Sequence, residues 1–263
     1  MSSNHIDPEM ALRRVAASDP LLVALDFDGT LAPFADEPMD ARMIPAAREA
    51  LDALLAAPRT IVALVSGRCM SDLRIIAEHD DDSRVLLAGS HGAEFWVPGE
   101  GLIEPADAGD ESELRDLLRT HAETATSDLA GVWIEPKTFG FGVHTRRADA
   151  ATADEANTRI DALIAAEAPH WRRRSGHNII EYAFRHEGKD SAVTALKERT
   201  GASVALFAGD DVTDEDALRS LGPDDLGVHV GTSPTAATVI VPDIPAMAAL
   251  LGRLADMRTA PRE

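Results

Sequence analysis

Two carboxylates, Asp26 and Asp28, stand two positions apart where an unbroken apolar run, Leu21–Leu25, ends. Residues two apart in an extended chain project to the same side, so both acids can address one small volume. Carboxylates held that close repel each other and both stay ionised at neutral pH only beside a compensating cation. Mg2+ is the cation expected, since it prefers oxygen ligands and accompanies phosphate. Gly29, next in the chain, allows a sharp turn. Further polar groups close later apolar runs or open helical ones: Ser66-Gly67-Arg68, the stretch 89–92 with His91, Lys189, and Asp210-Asp211.

The elements that must position these groups are readable from periodicity. Leu21–Leu25 and Thr60–Val65 are continuous apolar runs, the pattern of strands buried on both faces of a parallel sheet. Val85–Ala88, Val204–Ala208 and Gly227–Val230 are shorter runs of the same kind. Between them, Ile44, Ala47, Leu51, Leu54 and Leu55 recur at helical spacing, as do Leu73 with Ile76, Ala192 with Val193 and Leu196, and Met247 with Leu250, Leu251 and Leu254. Strands alternating with helices predict an α/β fold with a doubly wound parallel sheet, whose ligand site lies at the carboxyl ends of the strands. The pattern changes near Pro105. A helix at Leu114–His121, strands at Val132–Lys137 and Gly140–Arg146, a helix around Ile160–Ile164, and strands at Trp171–Arg174 and His177–Phe184 predict a small inserted α+β domain. The expected division is a core at 1–103 and 186–263 with a cap at 104–185, the cap serving as a lid that excludes water.

Composition narrows the function. A net charge of −20 and a pI near 4.7 argue against nucleic acid or an anionic membrane surface as partner. An anionic substrate needs local compensation, and lysine is scarce: Lys137, Lys189 and Lys197 are the only three. One cysteine, Cys69, allows no internal disulfide, and Met1–Met10 lacks a signal-peptide core, so a cytoplasmic setting is expected. No apolar run approaches the roughly 20 residues needed to span a bilayer.

The run Asp26-Phe27-Asp28-Gly29-Thr30-Leu31 resembles the opening signature of the haloacid dehalogenase-like phosphatases. Ser66, Lys189 and Asp210 follow in that superfamily's order. The resemblance implies Asp26 as nucleophile and Asp28 as general acid and base. It implies Ser66, Gly67 and Lys189 on the phosphoryl group, and Mg2+ on Asp26, the Asp28 carbonyl and Asp210, with Asp211 and Asp214 behind them. The charges agree, because a phosphate dianion repels a carboxylate nucleophile unless a metal and an ammonium offset it.

Three passages resemble the trehalose-6-phosphate phosphatases in particular: Ser66-Gly67-Arg68 with Gly89-Ser90-His91-Gly92-Ala93-Glu94; Gly209-Asp210-Asp211-Val212-Thr213-Asp214-Glu215; and Glu135, Lys137, His144, Arg146 and Glu181 in the inserted domain. This implies trehalose 6-phosphate as substrate, a trehalose-phosphate synthase in the same pathway, and sugar contacts from Arg68, His91, Glu94, Lys137, His144, Arg146 and Glu181. On extended strands Glu135 shares a face with Lys137, His144 with Arg146, and His177 with Glu181, which offers donors and acceptors to hydroxyls. The last strand departs from the family pattern. A basic residue before Glu181 and Arg-Pro after it are expected, but this chain has His177 before it and Tyr182-Ala183-Phe184 after it. Alternatives are a phosphatase of the same superfamily acting on sucrose 6-phosphate or a hexose phosphate, and a non-catalytic regulatory module.

Overall fold

The structure is a computed structural model that describes residues 8–103, 109–176 and 178–260. The start of the polar stretch Met1–Met10, the change of pattern near Pro105 with the expected boundary at 104, and His177 lie outside the described residues. The chain forms two compact units, dividing between residues 104 and 105 and between 186 and 187.

The first unit opens with α1 (Pro8–Ala16), β1 (Leu21–Leu25), α2 (Pro45–Ala56), β2 (Thr60–Val65), α3 (Met70–Ile76), β3 (Leu86–Gly89), β4 (Glu94–Val97) and β5 (Gly101–Ile103). The second contains α4 (Asp110–Thr126), β6 (Trp133–Lys137), β7 (Gly140–His144), α5 (Ala150–Glu167), β8 (Arg172–Gly176) and β9 (Ile179–Ala183). The first unit resumes with α6 (Lys189–Thr200), β10 (Val204–Gly209), α7 (Glu215–Ser220), β11 (Leu226–Val230), β12 (Val239–Val241) and α8 (Ile244–Thr259).

The sheet of the first unit has the order β12-β11-β10-β1-β2-β3-β4-β5. Pairing is parallel from β12 to β3, as the apolar runs predict. All five residues of β1 are buried, and their alternation divides two cores. Leu21, Val23 and Leu25 pack on the side of α1, α2 and α8, while Leu22 and Ala24 pack on the side of α6 and α7. Leu51 and Leu54 of α2 share a core with Leu250, Leu251 and Leu254 of α8, where truncation of one leucine costs about 2–5 kcal/mol. Asp243 caps α8 by accepting the Ala246 amide at 2.8 Å, which fixes where that helix begins.

Beyond β3 the sheet turns antiparallel through β4 and β5, an extension that the sequence reading lacks. That reading also lacks α1 and β12. Three-residue strands such as β5 and β12 are too short to display a period, and β4 begins with a buried glutamate where an alternating pattern would place an apolar residue.

The second unit is a fully antiparallel sheet, β6-β7-β9-β8, with two helices on one face. Phe141, Val143, Ile180 and Tyr182 meet Leu118 and Ala122 of α4 and Ile160 and Ile164 of α5. The other face is polar. Among the described residues no helix is long and apolar enough to cross a membrane.

Candidate active site

The end of β1 delivers Asp26 into a buried position, its amide fixed by a 2.9 Å bond to the Ala208 carbonyl of β10. Lys189, the first residue of α6, is equally buried and donates from Nζ to Asp26 Oδ1 and to Asp214 Oδ1, each at 2.6 Å. The other oxygen, Asp26 Oδ2, accepts the Thr30 hydroxyl at 3.2 Å. Asp214 Oδ2 accepts the amides of Asp210 and Asp211 at 3.2 and 3.0 Å, so Asp214 shapes the turn after β10. Asp211 caps the short turn that follows by accepting the Val212 amide at 2.7 Å.

This group carries too much negative charge. Asp26, Asp210 and Asp214 each offer an oxygen within 4.8 Å of the others, against one ammonium. Burial raises the Asp26 carboxyl well above its ordinary value; Lys189 opposes the rise, and Asp214 and Asp210 add to it. Burial, with Asp214 next, pushes Asp210 up to about 7. Burial alone would lower Lys189, but Asp214 and Asp26 outweigh it and raise the ammonium. Asp210 Oδ1 is buried and has no hydrogen-bond partner among the described residues. A hard divalent cation with oxygen ligands fits this donor set and would relieve both the orphaned oxygen and the repulsion. Gly29 is required beside it. Its φ is +79°, and a Cβ there would sit 2.1 Å from Asp210 Oδ2.

Asp28 is held by Arg68 through two parallel bonds of 2.7 Å, Nε to Oδ2 and Nη2 to Oδ1. The Arg68 amide donates to Ser66 Oγ at 3.2 Å. The loop after β3 locks onto this turn: the Ser90 amide reaches the Arg68 carbonyl at 2.6 Å, and the His91 amide reaches the Ser66 carbonyl at 2.9 Å. Ser90 and His91 pay for these bonds with positive φ, 48° and 58°, which L-residues adopt at a cost of order 1 kcal/mol or more. The His91 ring lies against Gly67, where a Cβ would come within 2.6 Å of it. Glu94 accepts the Met70 amide at 3.0 Å and the Ser90 hydroxyl at 2.6 Å.

On the polar face of the second sheet, Lys137 Nζ lies 2.9 Å from Glu135 Oε2 and 3.5 Å from Glu181 Oε1. His144 Nε2 is 2.7 Å from Glu135 Oε2. Burial would raise Glu135, but His144 and Lys137 outweigh it and bring the carboxyl down to about 2. Trp133 stacks flat on His144 at 4.5 Å, and Arg146 lies over the Trp133 ring.

Residues 24–242 match the family described as trehalose-phosphatase. The chain belongs to the trehalose-phosphatase family. It is 31% identical to a trehalose-phosphate phosphatase of Mycobacterium tuberculosis over 273 residues, covering 95% of this chain and 67% of that one. It is 32% identical over 247 residues to an uncharacterized glycosyl hydrolase of the same organism, covering 83% of this chain but 17% of that one. The chain thus spans about a sixth of the first relative it matches. Its fold is shared with the C-terminal domain of a trehalose-6-phosphate phosphatase of Candida albicans, at a TM-score of 0.81 and 22% identity, covering 97% of this chain and 98% of that one. The fold is haloacid dehalogenase-like.

Within the family pattern, the structure brings Asp26, Lys189, Asp210 and Asp214 together. Lys137, His144 and Glu181 share one cluster, and Arg146 stands beside it on Trp133. Arg68 and Glu94, both expected at the sugar, make bonds within the first unit. Arg68 grips Asp28, and Glu94 is buried with its carboxylate on the Met70 amide and the Ser90 hydroxyl. Ser66 is buried, and His91 packs on Gly67. Thr30 and Trp133 were not singled out from sequence. The signature placed Thr30 four residues after Asp26, which was the available signal, whereas Trp133 has none outside the fold.

Proposed function

We propose that this chain is a Mg2+-dependent phosphatase that hydrolyses trehalose 6-phosphate to trehalose and phosphate. The carrying observation is Asp26, buried at the end of β1 and held by Lys189 beside the unpartnered oxygen of Asp210. Family membership supports the substrate class.

In this reading one Asp26 oxygen attacks phosphorus in line, the P–O bond to the sugar breaks, and an aspartyl-phosphate forms. Asp28 gives a proton to the leaving sugar oxygen and then takes one from the water that cleaves the intermediate. The Arg68 fork occupies one acceptor site on each Asp28 oxygen and leaves the others open for the proton. Lys189 and Ser66 bind phosphoryl oxygens, with Gly67 giving the close approach. Asp26, the Asp28 carbonyl and Asp210 would hold Mg2+, with Asp211 and Asp214 fixing their positions. When bound, the ion neutralises charge on the phosphoryl group and keeps Asp26 ionised. Glu135, Lys137, His144, Arg146 and Glu181 form the sugar surface, where carboxylates accept from hydroxyls and the cations donate.

Phosphate release from a panel of sugar phosphates, with Mg2+ and with chelator, tests the proposal. Preference for trehalose 6-phosphate and loss with chelator support it. Preference for sucrose 6-phosphate or a hexose phosphate would discard the sugar assignment and keep the chemistry.

A further inference from the structure

Cross-strand register adds two cations to the polar face of the second sheet. Residues directly opposite in an antiparallel sheet share a face. One row runs Glu135, Gly142, Glu181, Arg174, and the next runs Lys137, Gly140, Ala183, Arg172. Arg173, between the two arginines, points the other way and donates to Asp161 of α5 at 2.7 Å. Arg172 and Arg174 therefore stand on the face of Glu181, away from the helices.

On these rows the two middle strands contribute Gly140, Gly142 and Ala183 beside Glu181, and Ile179 from the next row lies over Gly142. The edge strands wall this surface, with Glu135 and Lys137 on β6 and Arg172 and Arg174 on β8, and Lys137 reaches across β7 to within 3.5 Å of Glu181. Three strand spacings separate the walls, roughly 14 Å, which suits a disaccharide lying across the strands. Each guanidinium gives one N–H to a main-chain carbonyl just past β9: Arg172 Nη1 donates to His186 at 2.5 Å and Arg174 Nη2 to Arg185 at 3.4 Å.

We propose that Arg172 and Arg174 are sugar-binding residues that donate to hydroxyl and ring oxygens of the disaccharide from the β8 wall. The inference rests on the reading of this face as the sugar surface. It accounts for the departure on β9, since Arg172 stands opposite Ala183 and Arg174 opposite Glu181, the stretch where the expected basic groups are missing.

The test compares Arg172→Ala, Arg174→Ala and Lys137→Ala in the full chain. The readouts are kcat/KM for trehalose 6-phosphate relative to p-nitrophenyl phosphate, and inhibition by trehalose. A fall in that ratio of roughly tenfold for each arginine variant, with trehalose inhibition weakened alike and partial recovery in Arg174→Lys, supports the inference. Equal losses on both substrates would assign the arginines a merely structural role and overturn it. If only Lys137→Ala shifts the ratio, the inference falls while the sugar surface stands. If none of the three does, both fall.

Discussion

The Arg68 guanidinium closes a two-bond fork on the Asp28 carboxylate, joining the residue just past β1 to the turn just past β2 across 40 positions of sequence. A planar fork fixes direction as well as charge, and lysine cannot reproduce it. In the proposed mechanism Asp28 moves protons, so the grip of Arg68 sets where that carboxyl starts. Arg68→Ala is predicted to lower kcat on trehalose 6-phosphate by about 10²-fold, the scale of a misplaced catalytic group, with Arg68→Lys recovering only part of it. Steady-state kinetics on the three proteins is the check, and an unchanged kcat in Arg68→Ala would remove Arg68 from any positioning role.

Lys189 is the one ammonium inside the carboxylate cluster. Its removal leaves Asp26 and Asp214 buried without their partner, a situation that costs about 3–5 kcal/mol when a buried pair is broken. Lys189→Met is predicted to lose that much stability in denaturant titrations without metal. A loss below about 1 kcal/mol would mean that water or rearrangement already screens the pair.

Asp210 gives a pH dependence whose sign is opposite to that of an ordinary paired carboxylate. Its folded-state value, about 7, is raised above the ordinary 3.8. Between those values the folded chain holds more protons than the unfolded chain, so this group makes stability fall as pH rises through the window. Its stabilising contribution is complete below the lower value and gone above the upper one. Asp210→Asn should therefore raise the melting midpoint of the metal-free protein at about pH 8 by roughly 2–4 °C, on the order of 1 kcal/mol, and change it little near pH 4. Scanning calorimetry at the two pH values decides. A drop at the higher pH would contradict the repulsion described for this cluster.

The same cluster predicts the response to metal. Mg2+ is expected to raise the melting midpoint of the wild-type chain above pH 7 and much less near pH 5, where protons compete for the carboxylates. Asp210→Asn should abolish the rise. A rise that persists in that variant would place the ion elsewhere.

Much of this architecture is legible in the sequence because burial on both faces leaves an unbroken apolar run. Leu21–Leu25 and Thr60–Val65 are strands over the same residues in the structure. Lys189 is readable for a related reason, as a rare lysine opening an apolar-striped helix that begins at that residue. What escapes local reading is what depends on distant partners. The bonds of Glu94 to Met70 and Ser90 join residues 24 and 4 positions away and have no local signature. The fork of Arg68 on Asp28 spans 40 positions and is likewise invisible to local pattern. Arg172 and Arg174 are two of three consecutive arginines, and only the register with β9 separates them from Arg173. The strands β5 and β12, three residues each, exist because a neighbouring strand presents an edge to them.

The proposed function makes Asp26 the nucleophile of a trehalose 6-phosphate phosphatase. The most direct measurement is phosphate release from trehalose 6-phosphate with Mg2+ by the wild-type chain and by Asp26→Asn, with folding of the variant checked by circular dichroism. Turnover is expected in the wild type and none above background in a folded variant. Turnover by Asp26→Asn at the wild-type rate would contradict that role.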